Sequence, residues 1–502
     1  MRWRYAPTIS AICAAFLIAL LVAGCAGGKK AGHETKPATG AGEQFPEGFL
    51  WGVAGSAYQT EGKNTGSDFD VWNRDGHGKD ICGQADRSYD LYRLDAELAA
   101  SLGCTAYRVG IEWARIEPKR GQYDAKEILH YRQMLQSIVD LGMRPILTLH
   151  HFTNPIWVEK QGGWMNQDTV DRFVAFARLA ASEYGDLVDF YLTINEPMVY
   201  TIGSYMLNLY PGGCTSCFDK TMSATVNMIF AHARAYRAIK DADVWDADGD
   251  GEATRISFAH SIIPPSPLDP NDPDDADSAY WYDYLSHRLF LRAVVNGDLD
   301  VNANGSIDDR YTIPVEGHYD SLQGTIDFLA LNYYNPVAVK HVSGVFGPVQ
   351  GVPCMPQADF LCYPAGRGPY IQGDNGNEIH PEGIKDIIED FQDEFKLPVL
   401  ISENGVAATD GYLRSWFIIE HLKNVHAAMD DGYDVMGYLY WSLLDNFEWL
   451  EGFGPRFGLF TVNYSDYTRT ATEGGRTYSE IVNANGISPD LQERYITPPA
   501  PR

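Results

Sequence analysis

Two acidic residues stand in short strings suited to acid–base or nucleophilic chemistry: Glu196 in Asn195-Glu196-Pro197 and Glu403 in Glu403-Asn404-Gly405. Alone, either string reads as a solvated glutamate at a turn. Together they read differently, because each closes a short β-branched or aromatic run, and two strand ends can project carboxyl groups into one pocket. One group can then carry a proton while the other attacks or accepts one, which is what a two-carboxylate reaction needs. Other runs also end on polar or aromatic groups: Glu112-Trp113, His150-His151-Phe152, Asn332-Tyr333-Tyr334 and Trp441-Ser442.

The elements that must position these ends form a regular series. Strand-like runs occur near 49–53, 106–113, 144–152, 190–196, 255–263, 326–334, 397–403 and 435–443. Helical periodicity fills the gaps at 90–102, 125–141, 170–184, 225–240, 280–295, 381–395 and 415–431. Eight such units predict a single (β/α)8 TIM barrel with long βα loops at its C-terminal face, where the strand ends above would meet.

Composition narrows the partners. Sixty-seven acidic against 39 basic residues give a formal charge of −28, a field opposed to nucleic acid and suited to a neutral or cationic small ligand. Aromatic residues make up 13% of the chain, enough to line a sugar-binding cleft as well as a core. Arg2 and Arg4, an apolar run over 9–23 and small residues before Cys25 predict a lipoprotein-type signal peptide over 1–24. Leu21-Val22-Ala23-Gly24-Cys25 resembles a lipobox, with Cys25 as the lipidated residue. An uncleaved anchor is the alternative, although the run is shorter than the roughly 20 residues of a span. Residues 25–44 then read as a flexible tether, 45–490 as the barrel and 491–502 as a C-terminal tail. The expected location is the cell envelope, at the outer membrane or cell surface.

In such an oxidising compartment, the loop holding Cys214 and Cys217 and the loop holding Cys354 and Cys362 are the candidate places for disulfides, their pairing open and zinc the rival reading, while Cys104 reads as a free buried thiol. Two acidic strings, Asp246-Ala-Asp248-Gly-Asp250-Gly and Asp300-Val-Asn302-Ala-Asn304-Gly, have the spacing of the first half of a calcium loop. Their twelfth positions, Ser257 and Tyr311, lack the closing acid. A structural calcium and a plain polar turn both remain open.

Taken in order, the strings from about 45 to 486 resemble glycoside hydrolase family 1, the β-glucosidase family. The resemblance is carried by the segment from Phe49 to Gly62, by Tyr107-Arg108 with Ile111-Glu112-Trp113-Ala114-Arg115-Ile116, by His151, by the two glutamate strings, and by Asn332-Tyr333-Tyr334. It closes with the segment from Trp441 to Trp449 and with Arg456-Phe457-Gly458-Leu459. Residues 85–89 depart from it, since many relatives carry an Asp-His pair there. The resemblance implies a retaining exo-β-glycosidase that needs no cofactor and releases terminal β-glucosyl, β-galactosyl or β-fucosyl units. Glu403 would be nucleophile and Glu196 acid/base, their carboxyl groups about 5 Å apart. Arg108 would keep Glu403 ionised and Tyr334 would donate to it. Gln59, His151, Asn195, Asn332, Glu448 and Trp449 would bind sugar hydroxyls, with Trp441 as floor and Phe457 as wall. A carboxylate at 448 would repel a 6-phosphate. A transglycosidase and a catalytically silent surface glycan-binding protein are the alternatives.

Overall fold

The computed structural model describes residues 42–307, 316–344, 347–354 and 370–501; the segment expected to be a signal peptide, Cys25 and Cys362 lie outside them. Eight parallel strands close into one barrel in which each strand pairs with its successor and the last with the first. They are β1 (Leu50–Ala54), β2 (Ala106–Gly110), β3 (Arg144–His150), β4 (Phe190–Asn195), β5 (Arg255–Ile262), β6 (Leu329–Tyr333), β7 (Val399–Asn404) and β8 (Val435–Trp441). The helices that follow them are α1 (Ser88–Ser101), α2 (Ala125–Val139), α3 (Gln167–Tyr184), α4 (Phe218–Ala242), α5 (Leu289–Asn296), α6 (Glu382–Phe395), α7 (Gly411–Asp430) and α8 (Glu473–Ala484). The expected (β/α)8 barrel is therefore present, with element ends moved by a few residues. β2 stops early because Glu112 caps a short helix, Trp113–Ile116, that the strand reading had absorbed. The expected helix over 280–295 is three pieces, Pro273–Asp283, a π turn Tyr284–Arg288, and α5.

Local chemistry explains the helices. Asp124, Asn166 and Asp410 accept hydrogen bonds from backbone N–H groups at the starts of α2, α3 and α7. Along α2, Tyr131, Met134, Leu135 and Ile138 are buried at helical spacing and form its core face. Inside the barrel a second cluster, including Leu50, Ile146, Phe190, Leu192, Leu400 and Leu439, fills the lower part, so the barrel is a packed core below an open mouth.

The strand pairing carries three irregularities near that mouth. β4 has one extra residue relative to β5 between Leu192 and Asn195, and β7 has one relative to β8 between Ile401 and Asn404. The β6 and β7 registers shift between Leu331 and Asn332, so that Asn332 stands opposite Glu403. A bulge changes which side of a strand the following residues face. Period-two alternation from inward-facing Leu192 and Leu400 would turn Asn195 and Glu403 outward; the extra residues turn both in.

Two expectations about the edges are corrected. Glu43 and Gln44, assigned to the tether, pair with Ile487 and Gly486. The C-terminal tail is docked: Pro489–Arg494 is a helix, Leu491 and Tyr495 are buried, and the Tyr495 hydroxyl donates to Glu473. Cys214 and Cys217 form a disulfide, Cys354 is also disulfide-bonded, and Cys82 and Cys104 are free and buried. No helix among the described residues is long and apolar enough to cross a membrane.

The calcium-like strings have protein partners. Asp246 accepts from the N–H groups of Gly249, Asp250 and Gly251, Asp248 pairs with Arg144, and Asp250 pairs with Arg255. Ser257 lies in β5 with its hydroxyl donating to the Phe328 carbonyl, so it does not close a loop. Asp189 brings a third carboxylate within 4.8 Å of Asp246 and Asp248. In the second string Asp300 accepts from Asn304, Gly305 and Tyr284, and Glu316 accepts from the Asn302 backbone and side chain. Tyr311 lies outside the described residues.

Candidate active site

The site is built around one guanidinium. Arg108, in the middle of β2, is completely buried and distributes its N–H groups over three other strands. It donates to Thr148 on β3 (3.0 Å), to Asn195 Oδ1 on β4 (2.7 Å), and to both the Ser402 carbonyl (3.1 Å) and Glu403 Oε1 (2.6 Å) on β7. Tyr334 donates to the other Glu403 oxygen at 2.7 Å. Both expected supports of Glu403 are in place, and each carboxylate oxygen accepts a bond from a fixed donor.

Glu196 is held quite differently. It occupies the turn from β4 into the helix Pro197–Tyr205, with φ 47° and ψ 59°, and its N–H donates to Ala259 O at 2.7 Å. A left-handed conformation at a non-glycine residue is strained, and here it turns the carboxyl group into the mouth. Among the described residues its one side-chain donor is Asn332, at 2.7 Å. Burial, then the nearby charge of Glu403, push its pKa up to about 8, against the lowering effects of Asn332 and Arg108. The two carboxyl groups therefore sit in one enclosure with opposed environments, one braced by a cation and a phenol and the other pressed toward its neutral form.

The structure gives Asn332 a task beside the sugar contact expected of it. Its Oδ1 accepts from the Ser402 hydroxyl at 2.7 Å, and its Nδ2 faces Glu196 Oε1 at 2.7 Å and Asn195 Oδ1 at 3.3 Å. With both ends of the amide engaged by protein, it orients the site. Gln59 is likewise engaged: Nε2 donates to Asn446 Oδ1 and the Phe447 carbonyl, and Oε1 accepts from Ser56. A lone pair on Oε1 is what it can still offer a hydroxyl.

The remaining expected residues do converge on the mouth. Because Arg108 forces Asn195 Oδ1 to be the acceptor, Asn195 Nδ2 points at His151 Nε2, 3.1 Å away. His151 Nε2 must then accept. Burial and the nearby positive charge of Arg108 hold this imidazole well below its usual pKa, so it is neutral with its proton on Nδ1. That Nδ1 is buried and has no hydrogen-bond partner among the described residues; Glu448 Oε1 is in the same position. A donor and an acceptor thus remain for a polyhydroxylated ligand. The His151 ring stacks against Trp441 and Trp449 with centroids 5.9 and 5.8 Å apart, and Phe457 meets Tyr334 edge-on at 6.1 Å. These rings supply the apolar walls on which the less polar face of a sugar can lie.

Sequence reasoning missed several contributors. Tyr210 packs against Phe69, Phe152 and Trp449, and its phenol feels the charges of Glu196 and Glu448. It lies in a Pro-Gly turn with no periodic signal. Thr148 and Ser402 are small polar residues inside apolar strands, and their burial next to a charged partner was the clue available. Gly405 was read only as part of a string; a Cβ there would lie 1.9 Å from the Trp441 carbonyl, so the close passage of β7 past β8 requires glycine.

The sequence pattern of glycosyl hydrolase family 1 matches residues 41–487. A β-galactosidase from Pyrococcus woesei is 31% identical, covering 90% of this chain and 99% of its own. β-Glucosidase A from Thermotoga maritima is 29% identical, covering 89% and 99%. A solved structure of a Thermotoga maritima β-glucosidase in complex with glucoimidazole superposes with a TM-score of 0.78 at 28% identity, covering 89% of this chain and all of that one.

The unpartnered Oε1 of the buried Glu448 carboxyl has a measurable cost. Its pKa is pushed up to about 8 by burial, offset in part by the Trp441 N–H. Below the unfolded-state value of about 4.3 it is protonated in both states; as pH rises toward 8 the folded state retains a proton that the unfolded state has released, and that contribution to stability is lost. Glu448→Gln removes the titration. The Tm difference between this variant and the parent should therefore widen in favour of the variant from pH 4.5 to pH 9, while a difference independent of pH would show that the carboxyl is solvated.

Proposed function

The chain belongs to glycosyl hydrolase family 1, and from that premise we propose that it is a retaining exo-β-glycosidase, in the first place a β-glucosidase, with Glu403 as nucleophile and Glu196 as acid/base. The observation that carries this reading is the asymmetry of the two carboxyl groups. Glu403, clamped by Arg108 and Tyr334, is fixed as an attacking carboxylate. Glu196, held by one amide and raised toward neutrality, is suited to deliver a proton.

In the first step Glu403 attacks the anomeric carbon as the glycosidic C–O bond breaks, and the Glu196 proton goes to the departing oxygen. Glu196 is then ionised beside an ester that has consumed the negative charge of Glu403, which removes one cause of its raised pKa. It takes a proton from water, the water oxygen bonds to the anomeric carbon, and the ester bond to Glu403 breaks. Two inversions give net retention. In this reading Asn195 and the His151 Nδ1–H would bind hydroxyls of the terminal sugar, and Trp441, Trp449 and Phe457 would enclose it, a role that the stacking of His151 on both tryptophans supports.

Relatives named β-glucosidase and β-galactosidase keep the 4-hydroxyl epimer open, so β-galactosides and β-fucosides belong to the proposal. A phosphorylated sugar does not: Glu403 already places a negative charge in the enclosure, and a 6-phosphate beside Glu448 would be repelled further wherever that carboxyl ionises, above its raised pKa of about 8. Turnover of a 6-phosphoglucoside at a rate equal to the plain glucoside would refute this. Hydrolysis and transfer to an acceptor sugar share the same intermediate, and product analysis separates them.

The decisive measurement is proton NMR of the anomeric signal during cleavage of 4-nitrophenyl β-D-glucoside. β-Glucose should appear first and mutarotate later; α-glucose first would remove Glu403 as nucleophile. Absence of turnover on glucosides, galactosides and fucosides alike would favour a silent glycan-binding protein.

Export with a lipid anchor at Cys25 is proposed on the N-terminal pattern alone, and the Cys214–Cys217 disulfide supports an oxidising compartment. Mass spectrometry of the membrane-bound protein should find a diacylglyceryl group on Cys25 that Cys25→Ala abolishes; an unmodified Cys25 in the mature chain would overturn it.

A further inference from the structure

Ser402 is the residue that the β7 bulge leaves without a counterpart. On β6 and β7 Leu331 stands opposite Ile401 and Asn332 opposite Glu403, so Ser402 has no partner in the ladder. Yet it is wholly buried, its carbonyl accepts from Arg108, and its hydroxyl donates to Asn332 Oδ1 at 2.7 Å. Asn332 in turn donates to Glu196 Oε1. We propose that Ser402 is a positioning residue for Glu196, acting across the barrel through the Asn332 amide. The proposal rests on the reading of Glu196 as acid/base.

The argument concerns which end of an amide faces which partner. An asparagine has one accepting and one donating end, and rotation by half a turn exchanges them at almost no steric cost. With Nδ2 toward Glu196, the amide stabilises the ionised carboxylate; with Oδ1 toward it, the amide stabilises the protonated acid. Two groups bias the orientation found here. Asn195 Oδ1, itself turned by Arg108, lies 3.3 Å from Asn332 Nδ2 and would repel an oxygen placed there. The Ser402 hydroxyl engages Oδ1 from the other side. Without that hydroxyl, Oδ1 is a buried acceptor with no partner, and the preference for the present orientation weakens.

The other groups facing Glu196 are the charges of Glu403 and Arg108 and the phenols of Tyr334 and Tyr210. None of them bonds to the Ser402 hydroxyl, and the Ser402 carbonyl that touches Arg108 survives any side-chain change. Removing the hydroxyl therefore acts on Glu196 through Asn332. The effect is directional: the pKa of the acid rises. A residue that only filled space would change rates without changing the pH at which they fall.

The test compares pH profiles of kcat/KM for the full-length chain, Ser402→Ala and Ser402→Thr, on phenyl β-D-glucoside, whose poor leaving group depends on the acid. The alkaline limb should move up by about half a pH unit or more in Ser402→Ala and stay at its original position in Ser402→Thr, which keeps a hydroxyl. A limb unmoved in Ser402→Ala, or moved equally in Ser402→Thr, overturns the proposal. If Ser402→Ala does not fold, Ser402→Cys takes its place, because a thiol is of similar size but a weak donor. Glu196→Ala, assayed with 4-nitrophenyl β-D-glucoside and azide, separates the two levels of the argument. Recovered turnover with formation of β-glucosyl azide supports the acid/base reading, so an unmoved limb then removes the Ser402 role alone. No recovery removes Glu196 as acid/base and this proposal with it.

Discussion

A guanidinium sealed inside an acidic protein is the constraint on which the rest of the site depends. Arg108 has no solvent contact, so its charge is stable there only if its N–H groups are met by carbonyl, hydroxyl and carboxylate oxygens in a fixed geometry. Thr148, Asn195, Ser402 and Glu403 supply those oxygens from three strands. Moving any of the strands would leave a buried charge partly unmatched. The charge thus fixes the relative heights of β2, β3, β4 and β7 at the mouth, and with them the position of the attacking carboxylate.

The same charge organises groups it does not touch. By choosing which end of Asn195 faces inward, it sets the tautomer of His151; through Asn195 it also biases Asn332, and so Glu196. Chains of this kind turn a single electrostatic requirement into the orientation of several neutral side chains. Among the described residues His151 Nδ1 and Glu448 Oε1 are left without a partner at the mouth. Those two atoms are left for a ligand to complete, and stability is given up for function at their positions.

The barrel itself was legible in the sequence because alternating β-branched runs and helical periodicity report directly on burial. The two glutamates were legible because they end such runs, and the partners Arg108 and Tyr334 because the resemblance extended to their strings. What sequence could not show was register. Alternation predicts that Glu403 and Asn195 point away from the barrel axis, and single-residue bulges reverse that. A bulge changes hydrogen bonding without changing residue type, so it leaves little trace in a pattern of polar and apolar letters. For the same reason the protein partners of Asn332 could not be read: its type was informative, but its partners depend on a register shift at Leu331 and Asn332. The C-terminal segment was misjudged because Leu491 and Tyr495 are too few to make a periodic signal, although both are buried.

The antiparallel pair formed by Glu43–Gln44 and Gly486–Ile487 has a mechanical consequence. It lies just ahead of β1, and strands of a barrel begin on the face opposite the catalytic mouth. Any pull on the chain before residue 43 is therefore delivered to the floor of the barrel and is shared at once with the C-terminal segment, rather than peeling β1 out of the wall. An enzyme held by that end would stand with its mouth toward the surrounding medium, and slackness in the attachment would alter its reach without disturbing the catalytic geometry.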